Sequence, residues 1–382
     1  MTTQWTTVFP GLPERQDEPV THAARGSGGP TDGPLTDAEL QLAARNHALP
    51  LEILREEVTP PGLHYLLIHF DIPAIDAGSW RLSVAGAVQR ELSFSLEDLR
   101  ARPAVTVPVT LECAGNGRSL LRPRPLSQPW VLEAVGTAGW TGTPLAPILR
   151  EAGLHDDAVE FVFTGADRGI QGGREEDYAR SLTLEDIERQ GAFLAYAMNG
   201  APLPPQHGFP VRLMVPGWYG MTSVKWLSSI EAVTRPFDGY QQAVAYRYLQ
   251  DPQEQGTPVN RIRVRSLMVP PGIPDFFTRR RIVDSGTVRL QGRAWSGHGT
   301  VESVEMGVDG TWSPAELEPA LGGHAWRGWS VSWDAEPGDH ELRCRATDST
   351  GAVQPLEPEW NLQGMGNNVA QRVEVTVRAP RV

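Results

Sequence analysis

Hydrophobic and polar positions between residues 36 and 250 follow helical spacing in some segments and alternate as in strands in others. The capping pattern Thr36-Asp37-Ala38-Glu39 predicts a short helix that ends near Asn46, and a similar pattern opens a second helix over 95–100. Two more helices are predicted over 144–152 and 183–190, and strands over 64–71, 80–88, 105–112 and 158–164. Short helices among strands, without long strand–helix–strand repeats, predict an α+β fold rather than a doubly wound sheet.

Beyond about residue 250 the pattern changes to short alternating segments separated by turn residues. These segments are 260–268, 286–295, 301–308, 326–333, 340–347 and 369–377. Asp309-Gly310 predicts a hairpin turn, because both residues tolerate a positive φ. Six or seven such strands within about 120 residues predict an immunoglobulin-like β-sandwich. Cys344 falls in one of these strands, and we expect it to be a core residue.

The length of 382 residues is sufficient for two domains of about 100 to 200 residues each, and an apolar content of 40% is typical of a globular protein. We predict an N-terminal extension over 1–50, a first domain over 51–252 and a second over 253–382. Residues 1–34, rich in proline, glycine and polar residues, are expected to lie loosely over the surface.

The net charge of -12 argues against nucleic acid or an anionic membrane as a partner, because both attract a basic surface. Residues 1–20 have no apolar core of the kind a secretory signal has, and no run approaches the ~18 apolar residues of a spanning helix. These features predict a soluble, cytoplasmic protein.

The two cysteines, Cys113 and Cys344, fall in different predicted domains, and their separation fits neither a disulfide framework nor a zinc site. Cys113 lies where the strand predicted over 105–112 breaks into a glycine-rich turn. A thiolate there would suit a soft or high-valent metal, and Arg118 would supply positive charge to it. A single cysteine is otherwise more often a small buried apolar residue, so the surrounding residues decide between the two interpretations.

The segment 111–119, Leu-Glu-Cys-Ala-Gly-Asn-Gly-Arg-Ser, resembles the Cys-Ala-Gly-Asn segment of the sulfite oxidase family. The segments 194–204, 207–212, 215–217 and 223–227 resemble the family's longest signature in the same order. The resemblance covers roughly residues 60 to 375. It implies a sulfite-oxidase-like α+β molybdopterin domain followed by an immunoglobulin-like domain through which the family forms dimers.

The resemblance also implies which residues bind a molybdenum cofactor. Cys113 would bind molybdenum beside a pterin dithiolene. The pterin and its phosphate would be contacted by His69, Asp167, His207, Arg212, Ser223 and Lys225. Lys225 is the single lysine of the chain, and its compact ammonium suits a crowded site where a guanidinium would clash. Each residue alone also fits a structural role, and their shared order favours the cofactor.

By its distance from Lys225, Tyr246 corresponds to the family's substrate-pocket tyrosine, although Tyr248 would point the same way on a strand. The implied activity is oxidation of sulfite to sulfate by oxo transfer at molybdenum, with electrons passed to an unidentified external acceptor. In it, Cys113 tunes the metal, Arg118 holds the small oxyanion, and Tyr246 orients oxo group and substrate. No haem attachment motif is present, so we expect no haem. The resemblance also implies a homodimer.

Leu67, Gly117 and Gln363 stand where the family has arginines. Since a hydrogen bond to a charged group contributes about 1.5 to 3 kcal/mol, losing one guanidinium should weaken oxyanion binding roughly tenfold to a hundredfold. Binding of a dianion then requires replacement cations, for which the sequence offers Arg118, Arg122, Arg174 and Arg247.

Three alternatives stay open at this point. The same cofactor could act on a less charged sulfur compound or an oxide, which Leu67 would suit. A hydrolase could use Cys113 as nucleophile with His69 or His207 as base. A cofactor-free binding protein could have kept the scaffold and use its sandwich for partners.

Overall fold

The structure is a computed structural model that describes residues 29–379. The predictions for residues 1–28, including the absence of a secretory signal, lie outside the described residues. Within 29–34, Thr31 pairs with Arg124, whose guanidinium donates to the carbonyls of Gly33 and Pro34. This stretch is therefore tied to the body of the protein.

Five α-helices lie within the described chain. All are short, so their stability depends on tertiary packing. They are α1 (Asp37–Arg45), α2 (Leu96–Arg100), α3 (Leu145–Ala152), α4 (Leu184–Gln190) and α5 (Tyr240–Ala243). Single 3-10 turns occupy Leu51–Arg55, Pro61–Leu63, Arg118–Leu120, Pro205–His207 and Gly220–Thr222. The capping boxes predicted for α1 and α2 are confirmed, at Thr36 and Ser95.

The N-terminal part contains two sheets flanked by these helices. Its strands are β1 (Leu82–Gly86), β2 (Leu92–Phe94), β3 (Val105–Glu112), β4 (Val135–Pro144), β5 (Glu160–Gln171), β6 (Arg174–Leu182), β7 (Phe193–Met198), β8 (Ala201–Pro202), β9 (Arg212–Met214) and β10 (Leu227–Val233). One sheet has the order β2-β1-β10-β5-β6, in which only β1 and β10 are parallel. The other has the order β3-β4-β7-β8, with β9 also paired to β7. The predicted α+β class is confirmed.

The strand predicted over 64–71 is wrong. This segment has an irregular backbone whose one strand-like pairing is a bridge between Leu66 and His47. Its polar backbone groups bond to side chains instead of a ladder, since Asn46 Oδ1 accepts the Ile68 N–H and the Leu67 carbonyl accepts from Lys225. The segment lines a cavity, which explains why it departs from strand geometry.

The C-terminal part is a sandwich of two facing sheets joined to a two-stranded ribbon. Its strands are β11 (Arg247–Tyr248), β12 (Thr257–Pro258), β13 (Arg265–Met268), β14 (Ile273–Pro274), β15 (Arg281–Asp284), β16 (Gly286–Trp295), β17 (Val301–Val308), β18 (Thr311–Pro314), β19 (Glu316–Leu317), β20 (Arg327–Ala335), β21 (Gly338–Asp348) and β22 (Arg372–Arg378). The sheets have the orders β13-β16-β20-β19 and β14-β15-β22-β21-β17-β18. The immunoglobulin-like architecture is confirmed, with short edge strands that the alternation pattern did not reveal.

Two local predictions in the sandwich are confirmed. Asp309 and Gly310 connect β17 to β18 with φ values of 50° and 85°, the left-handed conformation that a two-residue hairpin requires. Cys344 is fully buried in β21 within the core between the sheets.

A separate apolar cluster joins the two parts of the protein. Ala114 and Tyr246 from the N-terminal side pack in it with Trp295 and Trp326 from the sandwich. Beside it, the carboxylate of Glu112 at the end of β3 accepts from the Trp295 indole (2.8 Å) and pairs with the buried Arg265 (2.9 Å). The junction therefore fixes the turn that begins at Cys113.

No helix among residues 29–379 combines the length and apolarity that crossing a membrane would require.

Candidate active site

One cavity in the N-terminal part collects most of the candidate residues. Its empty space is about 670 Å³, counting the open mouth. Cys113, His69, Asp167, His207, Arg212, Ser223, Lys225 and Tyr246 all line it. These residues come from segments as distant in sequence as the irregular stretch after residue 63 and the loop before β11. The structure thus brings together eight of the nine candidates, and Arg118 is the exception.

Cys113 follows β3 directly and is held by its own backbone. Its N–H donates to the Ala134 carbonyl (2.9 Å), and its carbonyl accepts from Asn116 N–H (2.9 Å) in the turn. Gly115 has no room for a side chain, because a Cβ there would meet the Arg118 guanidinium at 2.5 Å. Burial raises the pKa of the Cys113 thiol, while the Arg118 charge and the Trp130 indole favour the thiolate. The thiol is therefore an uncharged buried group unless a cation such as a metal ion draws off its proton.

Two buried cations lie at another part of the cavity wall. Lys225 Nζ donates to the carbonyls of Leu67 (2.8 Å) and Gln206 (3.2 Å). Arg212 donates to the carbonyls of His207 (3.1 Å) and Ser223 (2.9 Å), while its Nε has no partner. Burial and the Arg212 charge lower the pKa of Lys225 to about 7, and burial lowers the pKa of Arg212 to about 10. Neutral carbonyls hold both groups, but they do not compensate their charge.

Burial is the main cause of the pKa shifts of the titratable groups around these cations. Burial lowers the pKa of His207 to about 2 and that of His64 to about 4, with Arg212 adding to both shifts. Burial raises the pKa of Asp167 to about 7, against the attraction of Lys225. Both histidines are therefore neutral at pH 7, and Asp167, the one carboxylate in the wall, is only partly ionised.

An anionic, polar group fits this part of the cavity. A phosphate would compensate Lys225 and Arg212, which lack a fully charged carboxylate partner. Three buried polar atoms of the lining have no hydrogen-bond partner among residues 29–379: His64 Nε2, Asp167 Oδ1 and Arg212 Nε. These atoms match the donor and acceptor needs of a pterin edge and a phosphate. No group of three or more His, Cys, Asp or Glu side chains suited to a metal occurs in the described chain, and Cys113 is the cavity residue that could supply a thiolate ligand.

Two further candidates, Ser223 and His69, are held at the cavity wall by hydrogen bonds. Ser223 Oγ accepts the Val215 N–H (3.1 Å), and His69 Nε2 hydrogen-bonds Gln171 Oε1 (2.6 Å). Burial lowers the pKa of His69, so this imidazole is neutral. Each side chain is thereby oriented at the cavity wall.

The structure separates the two tyrosines that the sequence could not. Tyr246 is buried and lines the cavity. Tyr248 lies under the Arg263 guanidinium at 4.7 Å, against Gly366, and away from the cavity. The reason is that β11 begins only at Arg247, so the two tyrosines do not share one strand face.

Arg118 does not line the cavity, and its nitrogens are committed elsewhere. Nε donates to the Gln363 carbonyl (3.0 Å), one terminal nitrogen donates to the Gln128 carbonyl (3.0 Å), and the other lies 3.4 Å from Met365 Sδ. Its charge still acts on Cys113 and Tyr246. The contacts therefore support an electrostatic role and give no support to direct binding of an anion by this residue.

The other replacement arginines named from sequence do not line the cavity either. Arg122 donates to the carbonyls of Ser119 and Leu121, and Arg247 donates to those of Gln255 and Gly256. Arg174 is exposed at the start of β6. Sequence reasoning missed cavity-wall residues instead: His64, Tyr65 and Tyr178 line it, and Arg180 lies behind Tyr246. Tyr178 and Arg180 are two residues apart, so a prediction of strand β6 would have placed both side chains on one face of that strand.

The arrangement is unfavourable for a cysteine hydrolase. Within residues 29–379, no histidine hydrogen-bonds Cys113, and burial raises the pKa of its thiol instead of lowering it. An activated nucleophile needs the opposite on both counts.

Comparison with known proteins completes the description of the site. The family model described as "Oxidoreductase molybdopterin binding domain" matches residues 69–241, and "Mo-co oxidoreductase dimerisation domain" matches 257–378. The chain is 36% identical to mitochondrial sulfite oxidase of Mus musculus over 91% of this chain and 67% of that protein. It is 32% identical to nitrate reductase [NADH] 1 of Arabidopsis thaliana over 85% of this chain and 38% of that protein.

The chain thus spans about two thirds of the length of the mouse sulfite oxidase and under two fifths of that nitrate reductase. Among solved structures, it is similar to the sulfane dehydrogenase SoxCD from Paracoccus pantotrophus, with a TM-score of 0.75 at 23% identity. That match covers 97% of this chain and 95% of the other. At this identity, the likeness shows the fold.

Proposed function

Because this chain belongs to the sulfite oxidase family of molybdopterin-dependent oxidoreductases, we propose that it oxidises sulfite to sulfate and passes two electrons to an external acceptor. The observation that carries the proposal is the cavity whose wall contains both Cys113 and the buried cationic side chains of Lys225 and Arg212. A thiolate for a metal and cations for a phosphate are the two requirements of a molybdenum cofactor.

The cofactor would be held by residues with complementary chemistry. Cys113 would bind the metal. Lys225 and Arg212 would pair with the phosphate, and Asp167 and His64, each with an unpartnered buried atom, would meet the pterin edge together with His69, His207 and Ser223. When bound, this group supplies oxygen-atom transfer and storage of two electrons.

The chain's own residues would bind and orient the substrate. The Tyr246 hydroxyl lies in the cavity wall at the Cys113 side, where the charges of Arg180 and Arg118 act on it. Burial raises the pKa of Tyr246 to about 12, so the phenol is protonated at neutral pH and would donate to an anionic oxygen. The product sulfate carries one more oxygen, taken from water, whose two protons must leave.

Turnover assays on molybdenum-loaded protein test the proposal. We expect sulfite to reduce an artificial acceptor such as ferricyanide, and Tyr246→Phe to lower kcat/KM at least tenfold. Tyr248→Phe is the matched control and should stay within about twofold, because Tyr248 lies outside the cavity. No turnover of millimolar sulfite by loaded wild-type protein would remove the sulfite assignment. Formation of nitrite from nitrate, with a reduced viologen as electron donor, would point to the reaction named for the related nitrate reductases.

A second candidate is favoured by one observation. Leu67 lines the cavity, and Arg118 donates to two carbonyls and the Met365 sulfur, so neither residue offers a free cation to a dianionic substrate. The same cofactor could then act on a less charged sulfur compound or an oxide. This candidate would be favoured by a higher kcat/KM than for sulfite, either for a thiol-bound sulfane with ferricyanide as acceptor or for dimethyl sulfoxide with a reduced viologen as electron donor.

We also propose domains over 51–252 and 253–382 and a homodimer formed through the second, since the family model matched there is a dimerisation domain. Light scattering of the purified protein should give twice the chain mass of 41.8 kDa. A monomer at micromolar concentration would contradict the dimer. The electron acceptor, the absence of haem and the cytoplasmic location stay predictions.

A further inference from the structure

Arg180 is a buried arginine without a charge partner. It is 1% exposed, and its one hydrogen bond in the described chain is to the Gln241 carbonyl of α5. Its Nε has no partner, and no carboxylate of residues 29–379 pairs with it. Burying a cation in this way is costly, so a group that compensates the charge is expected in the functional complex.

Arg180 lies directly behind the cavity wall. It follows Tyr178 by two residues on β6, so both side chains leave the same face of the sheet. Tyr178 lines the cavity, and the Arg180 guanidinium carbon is 5.5 Å from the centre of the Tyr246 ring, which lines it too. The Arg180 guanidinium thus lies behind the phenol rings of Tyr178 and Tyr246, both of which line the cavity.

The cavity has two electrostatic ends. The charge of Lys225 acts on Asp167, and those of Lys225 and Arg212 act on His207, whereas Arg180 and Arg118 act on Tyr246. Arg118 has engaged all three of its nitrogens. At the Tyr246 end, Arg180 is therefore the cation whose guanidinium has an uncommitted donor.

We propose that Arg180 is the positioning residue of an oxyanion subsite: from behind Tyr246 it fixes the phenol and supplies the positive charge that attracts the anionic oxygens of the substrate. This inference rests on the proposed function, and it identifies the substrate as a small oxyanion. A structural role for Arg180 alone would require packing and the bond to Gln241, but not charge.

Oxyanion binding by the molybdenum-loaded enzyme tests the subsite without requiring turnover. Sulfate is the probe, titrated calorimetrically into wild type, Arg180→Met and Arg180→Lys. We expect Arg180→Met to weaken sulfate binding at least tenfold, and Arg180→Lys, which keeps the charge, to stay within about threefold of wild type. Arg174→Met, at the exposed start of the same strand, is the matched control and should leave the affinity unchanged.

Kinetics give the second readout. With sulfite as substrate, Arg180→Met should raise KM at least tenfold while changing kcat less than threefold, and Arg180→Lys should restore most of KM. Unchanged sulfate affinity in folded, loaded Arg180→Met would overturn the inference. If Arg180→Met does not fold, Arg180→Lys decides, because a tenfold or greater loss of affinity in that variant would show that charge is not what matters.

The two proposals can fail separately. If wild type binds sulfate in an Arg180-dependent way but does not oxidise sulfite, the subsite stands and the substrate of the proposed function is wrong. If wild type oxidises sulfite and Arg180→Met keeps both KM and sulfate affinity, the function stands and the subsite is wrong.

Discussion

Replacing Lys225 by methionine should stabilise the cofactor-free protein and weaken its hold on the cofactor. The ammonium is held by two carbonyls and lies 4.3 Å from the centre of the Trp226 ring, with Arg212 acting on it as a second cation. A methionine fills a similar volume without charge. The variant therefore removes an uncompensated buried charge while keeping most of the packing.

The magnitude follows from the pKa of Lys225, which burial lowers from 10.5 to about 7. At about 1.4 kcal/mol per pKa unit, the ammonium costs the folded protein up to about 5 kcal/mol. The full cost applies below pH 7, where Lys225 is protonated in both states. It decreases to near zero as the pH rises from 7 to 10.5, because over this range the unfolded chain keeps the proton and the folded protein has lost it. The carbonyls of Leu67 and Gln206 lose their donor in the variant, which offsets part of the gain, so we expect about 2 to 5 kcal/mol at pH 7.

Urea unfolding of cofactor-free wild type and Lys225→Met at pH 7 and pH 10 measures this difference. It should shrink to below about 1 kcal/mol at pH 10. Arg150→Met, at an arginine that is 65% exposed, should change the free energy of unfolding by less than about 1 kcal/mol at both pH values. Since the chain has one lysine, labelling with [15N]lysine gives a single Nζ resonance, which should titrate near pH 7. A less stable variant at pH 7, or titration near pH 10, would refute the reasoning.

Three further outcomes are expected. Cys113→Ser should abolish molybdenum retention and turnover, while the free energy of unfolding changes by less than about 1 kcal/mol. In molybdenum-loaded wild type, Cys113 should be protected from iodoacetamide, and its rapid alkylation would contradict this expectation. Glu112→Gln leaves Arg265 buried without its partner and should cost about 3 to 5 kcal/mol in urea unfolding, against under about 1 kcal/mol for the exposed control Glu188→Gln. Because the pKa of Asp167 is raised to about 7, its ionisation should destabilise the cofactor-free protein as the pH rises from 4 to 7, and Asp167→Asn should reduce that loss by about 1 to 4 kcal/mol; parallel pH profiles for the two proteins would count against it.

Local sequence signals predicted the elements whose interactions are mainly local. The strands at Val105–Glu112, Gly286–Trp295 and Val301–Val308 have the predicted bounds, because their alternation matches a half-buried pleat. The capping boxes at Thr36 and Ser95 were readable because each closes within four residues.

Features that depend on contacts between distant parts of the chain could not be predicted from local sequence signals. The stretch after residue 63 has an apolar composition typical of a strand, but Asn46 and Lys225 take its hydrogen bonds, and neither contact is encoded locally. Arg180 lies in a polar strand, and its burial requires α5 to pack over it from 60 residues further along the chain. In contrast, the order of motifs identified eight of the cavity residues without any knowledge of their geometry, although it missed His64, Tyr65 and Tyr178.

The molybdenum and pterin content per chain tests the central claim most directly. Protein purified from a host that makes the cofactor should contain one molybdenum, measured by mass spectrometry of the metal, and one pterin, measured by fluorescence of its oxidised form, per chain. Folded protein from that host that contains neither would contradict the claim that the cavity around Cys113, Lys225 and Arg212 binds this cofactor.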